Sequence, residues 1–551
     1  MTTLTDLTTS LRVLGRSGII RPYSPRKVLG LARVLVSWGT GPAGGFASLA
    51  VRDPDRVGLV DELGELTFGE LHRRSNALAR GLSELGVSEG DSVALMCRNH
   101  RGFVDATIAV AKLGADLLYL NTAFAGPQLV DVLEREAPSV VVHDEEFTGL
   151  LEGADVSQRV LAWNDTDTGP DVGMPTIESL IADHDDADVD APQRHTRIVI
   201  LTSGTTGAPK GAPRNEAGID AAVSLMSRLP LRHGWRTHVA APLFHTWGFA
   251  HLALAMLLGS TVVLRRRFDP ETALAATRDE RCESLVVIPV MLQRILALPE
   301  ETLACYDLPR LRVVAASGSA LPGNLALSWM DHFGDNLYNI YGSTEVAYAS
   351  VATPEDLRGA PSSAGRPPHA TVVRIFDEHD QPVPDGETGR IFVGNSMLFE
   401  GYTGGGSKDM IEGLMSTGDV GRIGDDGRLY VEGRDDDMIV SGGENVFPQE
   451  IEDCLAGHHA VAEAAAVGVD DDYGKRLRAY VVVREQESVS EDDLRAHVKA
   501  HLARYKVPRE IVFLDELPRN ATGKVLKRDL SDHEEQDGDP AAETADAWRV
   551  P

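Results

Sequence analysis

Between about residues 57 and 430, short β-branched runs alternate with stretches of helical period. Ser92–Met96, Ser139–His143, Ile198–Leu201, Leu285–Ile288 and Leu311–Ala315 read as strands, and Phe68–Leu85 and Gly102–Leu113 as helices between them. Strands separated by helices imply βαβ units and largely parallel sheets. The pattern changes near residue 370. Thr371–Phe376 and Arg390–Val393 flank the turn Pro384-Asp385-Gly386, and Arg428–Val431 follows Asp425-Asp426-Gly427. These predict antiparallel hairpins in a small β-rich subdomain. After a charged linker at Gly433–Asp437 the chain returns to an α+β pattern, where Ser490 and Asp493 form a capping box ahead of Leu494, Val498 and Leu502. The expected architecture is α/β: a large N-terminal domain of βαβ-type sheets with a β-rich subdomain, and a small α+β C-terminal domain joined by a hinge. Boundaries are expected at 1–50 for an N-terminal extension, 51–434, 435–530, and 531–551 for an acidic tail read as disordered.

Composition narrows the class. A chain of 551 residues exceeds one hydrophobic core. Its four cysteines, Cys97, Cys282, Cys305 and Cys454, form no close pair and suggest neither a disulfide framework nor a zinc site. No run of about 18 apolar residues predicts a spanning helix, and no secretory signal pattern opens the chain, so a cytoplasmic location is expected. The formal net charge of −30 argues against a nucleic-acid partner. Anionic small molecules must then be held by local bases and backbone amides, since screening confines the repulsion to about 8 Å. Charge is uneven: residues 1–40 carry Arg12, Arg16, Arg21, Arg26, Lys27 and Arg33 against the single acid Asp6, a local balance of +5. Interleaved Leu, Ile and Val leave two readings open, a peripheral contact with an anionic membrane surface or a helix packed on the acidic body.

Chemistry concentrates in ordered motifs. Thr202–Gly211 reads TSGTTGAPKG directly after a predicted strand. Its three glycines permit a tight loop with exposed amides, four hydroxyls add donors, and Lys210 adds charge, a combination suited to phosphate. It lacks the spacing of a Walker A loop. Tyr341-Gly342-Ser343-Thr344-Glu345, Ala316-Ser317-Gly318-Ser319, Ser416-Thr417-Gly418-Asp419, Gly433-Arg434, Ser441-Gly442-Gly443-Glu444-Asn445 and Pro518–Arg528 (PRNATGKVLKR) complete the set.

Together, and in this order, these strings resemble the signatures of the adenylate-forming (AMP-binding) enzymes over roughly residues 50–530, and most of all bacterial fatty-acid–CoA ligases. The resemblance implies ATP, Mg²⁺ and coenzyme A as cofactor and co-substrates. It implies a phosphate loop at Thr202, Ser203, Gly204, Thr205, Thr206, Gly207 and Lys210, and an adenine-facing segment at Ser317 and Gly318. Tyr341 and Gly342 would border the nucleotide, Thr344 its phosphate, and Glu345 would hold Mg²⁺, which prefers carboxylate and phosphate oxygens. Asp419 and Arg434 would hold ribose, Asp436 the hinge, and Gly442 and Gly443 the pantetheine path. Lys524 would be the catalytic lysine, while Lys527 and Arg528 receive no role.

The implied reaction converts a carboxylic acid to acyl-AMP and then to acyl-CoA. His245 and Trp247, in Pro242–Gly248, match the segment bordering the acyl pocket. Many similar enzymes carry Gly before Tyr-Gly-x-Thr-Glu, whereas this chain has Ile340, which would narrow that pocket. The motif set as a whole and the basic extension nevertheless favour a medium- or long-chain fatty acid, with an aryl or short branched acid as the alternative. A freestanding carrier-loading adenylation enzyme, a luciferase-like oxygenase and a nucleotide-sensing scaffold are the competing classes. A homodimer is left open.

Overall fold

The computed structural model describes residues 4–124, 126–165, 173–202, 210–214, 219–399, 401, 407–435, 439–441, 444–471, 474–520 and 523–531. Two compact units divide the chain. One runs to Thr417 and includes Arg422–Tyr430; the other comprises Gly418–Gly421 and the chain from Val431 onward.

The first unit contains two large sheets. The eight-stranded sheet has the order Ser350–Ala352, Leu337–Tyr341, Val313–Ala316, Ser284–Val287, Arg236–Val239, Thr261–Val263, Val57–Asp61, Gly64–Thr67. Its interior pairings are parallel and only the two edge pairings are antiparallel. The six-stranded sheet has the order Gln158–Trp163, Val140–Asp144, Ser92–Met96, Asp116–Tyr119, Ile198–Thr202, Lys210–Arg214, with only the last antiparallel. Every residue of Val140–Asp144, Ser284–Val287 and Val313–Ala316 is buried, as expected of parallel strands covered on both faces.

Helix Arg101–Lys112 is buried all round and packs on strands of both sheets. Its charges are therefore matched. Arg101 pairs with Asp61 at 2.5 Å, Asp105 with Arg74 at 2.8 Å, and Lys112 donates to Ser75 Oγ at 2.8 Å. Burial pushes the Lys112 ammonium down to about 7.

The expected strands are present with small shifts. Leu311–Ala315 becomes Val313–Ala316, because the ladder begins where Val313 meets Ser284. Val372–Phe376 and Gly389–Gly394 form the predicted antiparallel pair of a five-stranded β-rich sheet.

Three helices open the chain: α1 (Leu4–Ser17), α2 (Pro25–Trp38) and α3 (Pro42–Arg52). One face of α2 packs so closely on α3 that a Cβ on Gly30 would lie 2.8 Å from Val51. Arg21 and Lys27 anchor this region on Asp53, at 2.6 and 3.9 Å. The opposite face of α2 exposes Val28, Leu29, Leu35 and Val36, the last 88% exposed. The sequence left membrane contact and packing on the body as alternatives; the structure shows packing of one face of the helix on α3.

In the second unit, Val461–Asp471 and Gly474–Val483 pair antiparallel and Glu510–Phe513 adds a parallel strand. Helices Pro448–Ala456 and Glu491–His501 share a core with them through Ile451, Leu455, Leu494 and Val498. The predicted Ser490–Asp493 capping box starts the second helix. No helix among the described residues is long and apolar enough to cross a membrane. The acidic tail from residue 532 lies outside the described residues.

In the first unit, one carboxylate gathers three guanidiniums. Asp356, whose side chain is 3% exposed, meets Arg228 at 2.5 Å, Arg428 at 3.0 Å, and Arg366. Burial raises its pKa, but the Thr353 amide and hydroxyl and the arginines outweigh that, and the carboxyl stays below its usual value of 3.8. Asp356→Ala removes a shared partner of three half-buried cations, of which Arg428 keeps Asp426 at 2.6 Å, so it should lower unfolding free energy by about 3 kcal/mol, read by denaturant titration. Folding depresses this pKa. The contribution is therefore complete above the unfolded value and disappears as pH falls through the folded one. The difference between wild type and variant should be constant above about pH 5 and shrink on acidification.

Candidate active site

In open α/β sheets, ligands gather outside the carboxyl ends of parallel strands, where side chains from successive loops converge. Four adjacent strands of the eight-stranded sheet end at such an edge: Arg236–Val239, Ser284–Val287, Val313–Ala316 and Leu337–Tyr341. Their parallel register places Ala316 level with Val287 and with Asn339. Ser317 and Gly318, Ile340 through Glu345, and the segment leading to His245 and Trp247 therefore emerge at one edge. Gly318 is in the left-handed region at φ +100°, which turns the chain away from the strand end.

The Tyr341–Glu345 loop is shaped by its own backbone. Ala349 N–H donates to Tyr341 O at 2.8 Å, so the chain folds straight back. A Cβ on Gly342 would come within 2.4 Å of Ala347 O and 2.7 Å of Tyr348 Cα, leaving room only for glycine. Ser343 Oγ donates to Glu345 Oε2 at 2.8 Å and accepts from the Glu345 N–H at 3.3 Å. Asn395 donates to Val346 O and Tyr348 O at 2.8 and 2.7 Å, and Phe399 N–H to Glu345 O at 2.8 Å. Glu345 is thus a half-buried carboxylate on a loop braced from several sides. Its hard oxygens fit Mg²⁺. Thr344 beside it is half-buried.

The acyl-side segment is equally constrained. His245 caps helix Thr246–Leu258: Trp247 N–H donates to His245 Nδ1 at 3.4 Å, which leaves the ring proton on Nε2. Burial pushes this imidazole down to about 4, so it is neutral at physiological pH. Trp247 is buried, and its indole N–H donates to Val287 O at 2.9 Å, pinning it to the end of the neighbouring strand. Ile340 is 4% exposed and pairs with Val351 in the edge ladder.

Sequence reading did not single out the residue that holds these pieces together. Buried Asn99, just past strand Ser92–Met96 of the six-stranded sheet, donates to Val239 O and Ala241 O at 3.1 and 2.9 Å. It accepts from Leu243 N–H at 2.9 Å. A lone asparagine after a strand carries no sequence signal. Its importance exists only once two sheets meet.

The phosphate-loop string starts at the end of strand Ile198–Thr202, and Lys210 opens the antiparallel strand facing it, Thr202 opposite Lys210. The loop's two ends are therefore adjacent. Ser203, Gly204, Thr205, Thr206 and Gly207 lie outside the described residues.

In the second unit, Asp419 is buried and Arg434 lies 3.6 Å from its Oδ1, so the two residues expected at ribose are neighbours. Thr417, in the same string, is buried and donates to Ile391 O at 3.1 Å within the first unit. Asp436, Gly442 and Gly443 lie outside the described residues.

Lys524 is exposed on a turn closed by Asn520, whose N–H donates to Lys524 O and whose Oδ1 accepts from Lys524 N–H, both at 2.9 Å. Gly523, at φ +77°, makes that turn possible, and Arg519 ties it to Glu463 at 2.8 Å. Lys527, given no role from sequence, forms an ion pair with Glu452 at 2.7 Å.

A large βαβ unit with loops converging at a strand edge, followed by a smaller α+β unit bearing a lysine on a fixed turn, defines an adenylate-forming enzyme. The chain belongs to the AMP-binding enzyme family: its sequence profile matches residues 46–403, and the profile of the family's C-terminal domain matches 450–524. It is an AMP-forming acid–thiol ligase that works with ATP, Mg²⁺ and coenzyme A. Similar proteins include a feruloyl-CoA synthase from an Amycolatopsis species, 34% identical over 84% of this chain and 93% of that protein. An indoleacetate–CoA ligase from Aromatoleum aromaticum is 33% identical over 87% of this chain and 94% of its own. Among solved structures, an anthranilate CoA ligase in complex with anthranoyl-AMP superimposes with a TM-score of 0.80 and 26% identity, covering 90% of this chain and 97% of that one.

Gly342→Ala forces the Glu345 loop off its present path. A displacement on the order of 1 Å at a reacting centre costs roughly 100-fold. Acid-dependent pyrophosphate release should fall by about that factor, while the far-UV spectrum stays unchanged.

Proposed function

We propose that this ligase activates an aromatic or short branched acid, with a medium- or long-chain fatty acid no longer the first choice. Ile340 carries the reading. A branched side chain occupies the carboxyl end of the strand leading into the Glu345 loop, where the family resemblance places glycine, and it is 4% exposed and held in a ladder. The named activities of similar proteins agree: feruloyl-CoA synthase, indoleacetate–CoA ligase, 2-succinylbenzoate–CoA ligase and anthranilate CoA ligase all take ring-bearing acids. The fatty-acid preference rested on the general look of the motifs and on the basic extension, and neither touches the acyl group.

In this reading the acid's carboxylate attacks the α-phosphorus of ATP, pyrophosphate leaves, and the thiol of coenzyme A then displaces AMP from the acyl carbonyl. The protein's share is positioning and charge compensation. Lys524 offsets the negative charge shared by carboxylate and phosphate. Glu345, braced by Ser343, would hold Mg²⁺, and Thr344 would contact the nucleotide phosphate. Mg²⁺ supplies charge neutralisation of the leaving group. Lys210 and the 203–207 loop hold phosphate oxygens, Ser317 and Gly318 face the adenine, Tyr341 and Gly342 border the nucleotide, and Asp419 with Arg434 receives ribose. Asp436 serves as the hinge, and Gly442 and Gly443 admit the pantetheine arm. His245, Trp247 and Ile340 bound the acyl site, with neutral His245 offering an Nε2–H donor.

Acid-dependent pyrophosphate release across cinnamic, indolic, benzoic and C6–C16 fatty acids, with and without coenzyme A, tests the substrate class. Turnover concentrated on fatty acids overturns it, and dependence on a carrier protein in place of coenzyme A identifies the carrier-loading alternative. Lys524→Ala should cost about 3 kcal/mol, roughly 100-fold, in adenylation. Thioester formation from supplied acyl-adenylate should be spared.

A second reading concerns the N-terminal helices. The apolar stripe Val28, Leu29, Leu35 and Val36 on α2, flanked by exposed Arg26 and Arg33, has the make-up of a helix lying on an anionic lipid surface. Co-sedimentation with anionic vesicles, abolished by high salt and by Val36→Asp, is expected. Equal binding to zwitterionic vesicles, no binding, or a dimer that Val36→Asp dissociates would each count against it.

A further inference from the structure

The helix pair of the second unit carries a cluster that the ligase reaction does not use. Cys454 lies in helix Pro448–Ala456, and His497 and His501 lie one turn apart in helix Glu491–His501. Each offers one ligand atom, and the three atoms lie within 4.8 Å of one another. His458 extends the group, its ring meeting His497 edge-on with centroids 5.1 Å apart. The sequence spacing repeats, Cys454-x₃-His458 and His497-x₃-His501.

The hydrogen bonds of the imidazoles fix which ring nitrogens keep a lone pair. A metal-binding histidine typically donates its second ring N–H to a carbonyl or carboxylate, which fixes the tautomer and turns the other lone pair toward the ion. Both helical histidines have that arrangement. His497 Nε2 is 3.0 Å from Cys454 O, and His501 Nδ1 is 2.8 Å from His497 O. A carbonyl can only accept, so each of these nitrogens carries the proton, which leaves the ring's lone pair on His497 Nδ1 and on His501 Nε2. His458 differs: its Nδ1 accepts from Ala460 N–H at 3.3 Å, which leaves its proton on Nε2 and its lone pair already engaged.

We propose that Cys454, His497 and His501 bind a zinc ion, with water as the fourth ligand. One thiolate and two imidazoles suit zinc, and tetrahedral Zn–S and Zn–N bonds of about 2.3 and 2.0 Å need donors roughly 3.3–3.7 Å apart. The helices are already fixed relative to each other by the core of Ile451, Leu455, Leu494 and Val498 beneath them, with Cys454 packed against it. Binding releases the thiol proton to solvent, and the bound ion bridges the two helices.

The test uses tag-free, full-length protein stripped with chelator and titrated with Co²⁺ and then Zn²⁺. One ion should bind per chain, with a near-ultraviolet thiolate-to-cobalt band and the visible bands of a tetrahedral site, and zinc should displace it. Cys454→Ser leaves Cys97, Cys282 and Cys305 in place as internal controls, yet should abolish the thiolate band. It should also weaken zinc binding by more than the roughly 10–100-fold typical of losing an outer-shell partner. His501→Gln, at an exposed position, should weaken it likewise, and zinc should raise the Tm of wild type but not of either variant. Unchanged far-UV spectra and ligase activity confirm that the variants are folded. Absence of stoichiometric uptake by wild type, or uptake undiminished in the Cys454→Ser/His501→Gln double variant, overturns the proposal.

Discussion

Asn99 is the point on which the arrangement of the large unit depends. Its amide bonds three main-chain groups beyond the end of one sheet to the strand end of another, with no water required. Backbone emerging from a parallel strand must find partners or solvent. Here the amide satisfies two carbonyls and one N–H at the place where the chain turns toward His245. Without it, the Pro242–Gly248 segment would need other partners in a dry crevice. The neutral imidazole of His245 and the pinned indole of Trp247 both follow directly from that anchored turn.

The same economy recurs at the other loops. Gly342 lets the chain double back at a distance no side chain tolerates, and Ser343 and Asn395 then tie the resulting loop. The Lys524 turn uses Gly523 differently, through its left-handed φ of +77°, and is tied by Asn520 and Arg519. In each case a glycine creates the geometry and a short polar side chain fixes it, so the charged residue sits on a shaped support. That is what electrostatic preorganisation requires of a site whose main chemical task is to gather negative charge.

Much of this was legible in the amino-acid order. The βαβ alternation, the β-rich hairpins and the Ser490 capping box each have a local cause, so pattern alone locates them. The motif strings likewise mark strand ends, because a Gly/Ser/Thr cluster after an apolar run has few other uses. What was not legible depends on distant residues meeting. Asn99 is one such case and the three-arginine nest around Asp356 another. The histidine–cysteine group is a third, since Cys454 and the imidazoles of His497 and His501 come together only when two helices distant in the sequence pack. Substrate class is less legible for a different reason: the overall likeness of the motifs and the single residue Ile340 point to different acids, and motif strings that hold the nucleotide say nothing of the acyl group.

That residue also bears on how such enzymes diversify. Ile340 belongs to an antiparallel ladder with Val351, so its main chain is held by neighbours whatever its side chain. If Ile340 bounds the acyl site as proposed, a smaller side chain there would enlarge that site while the ladder keeps the main chain in place. A position where backbone and side chain are so decoupled lets a lineage retune its diet by single steps, each one still folding.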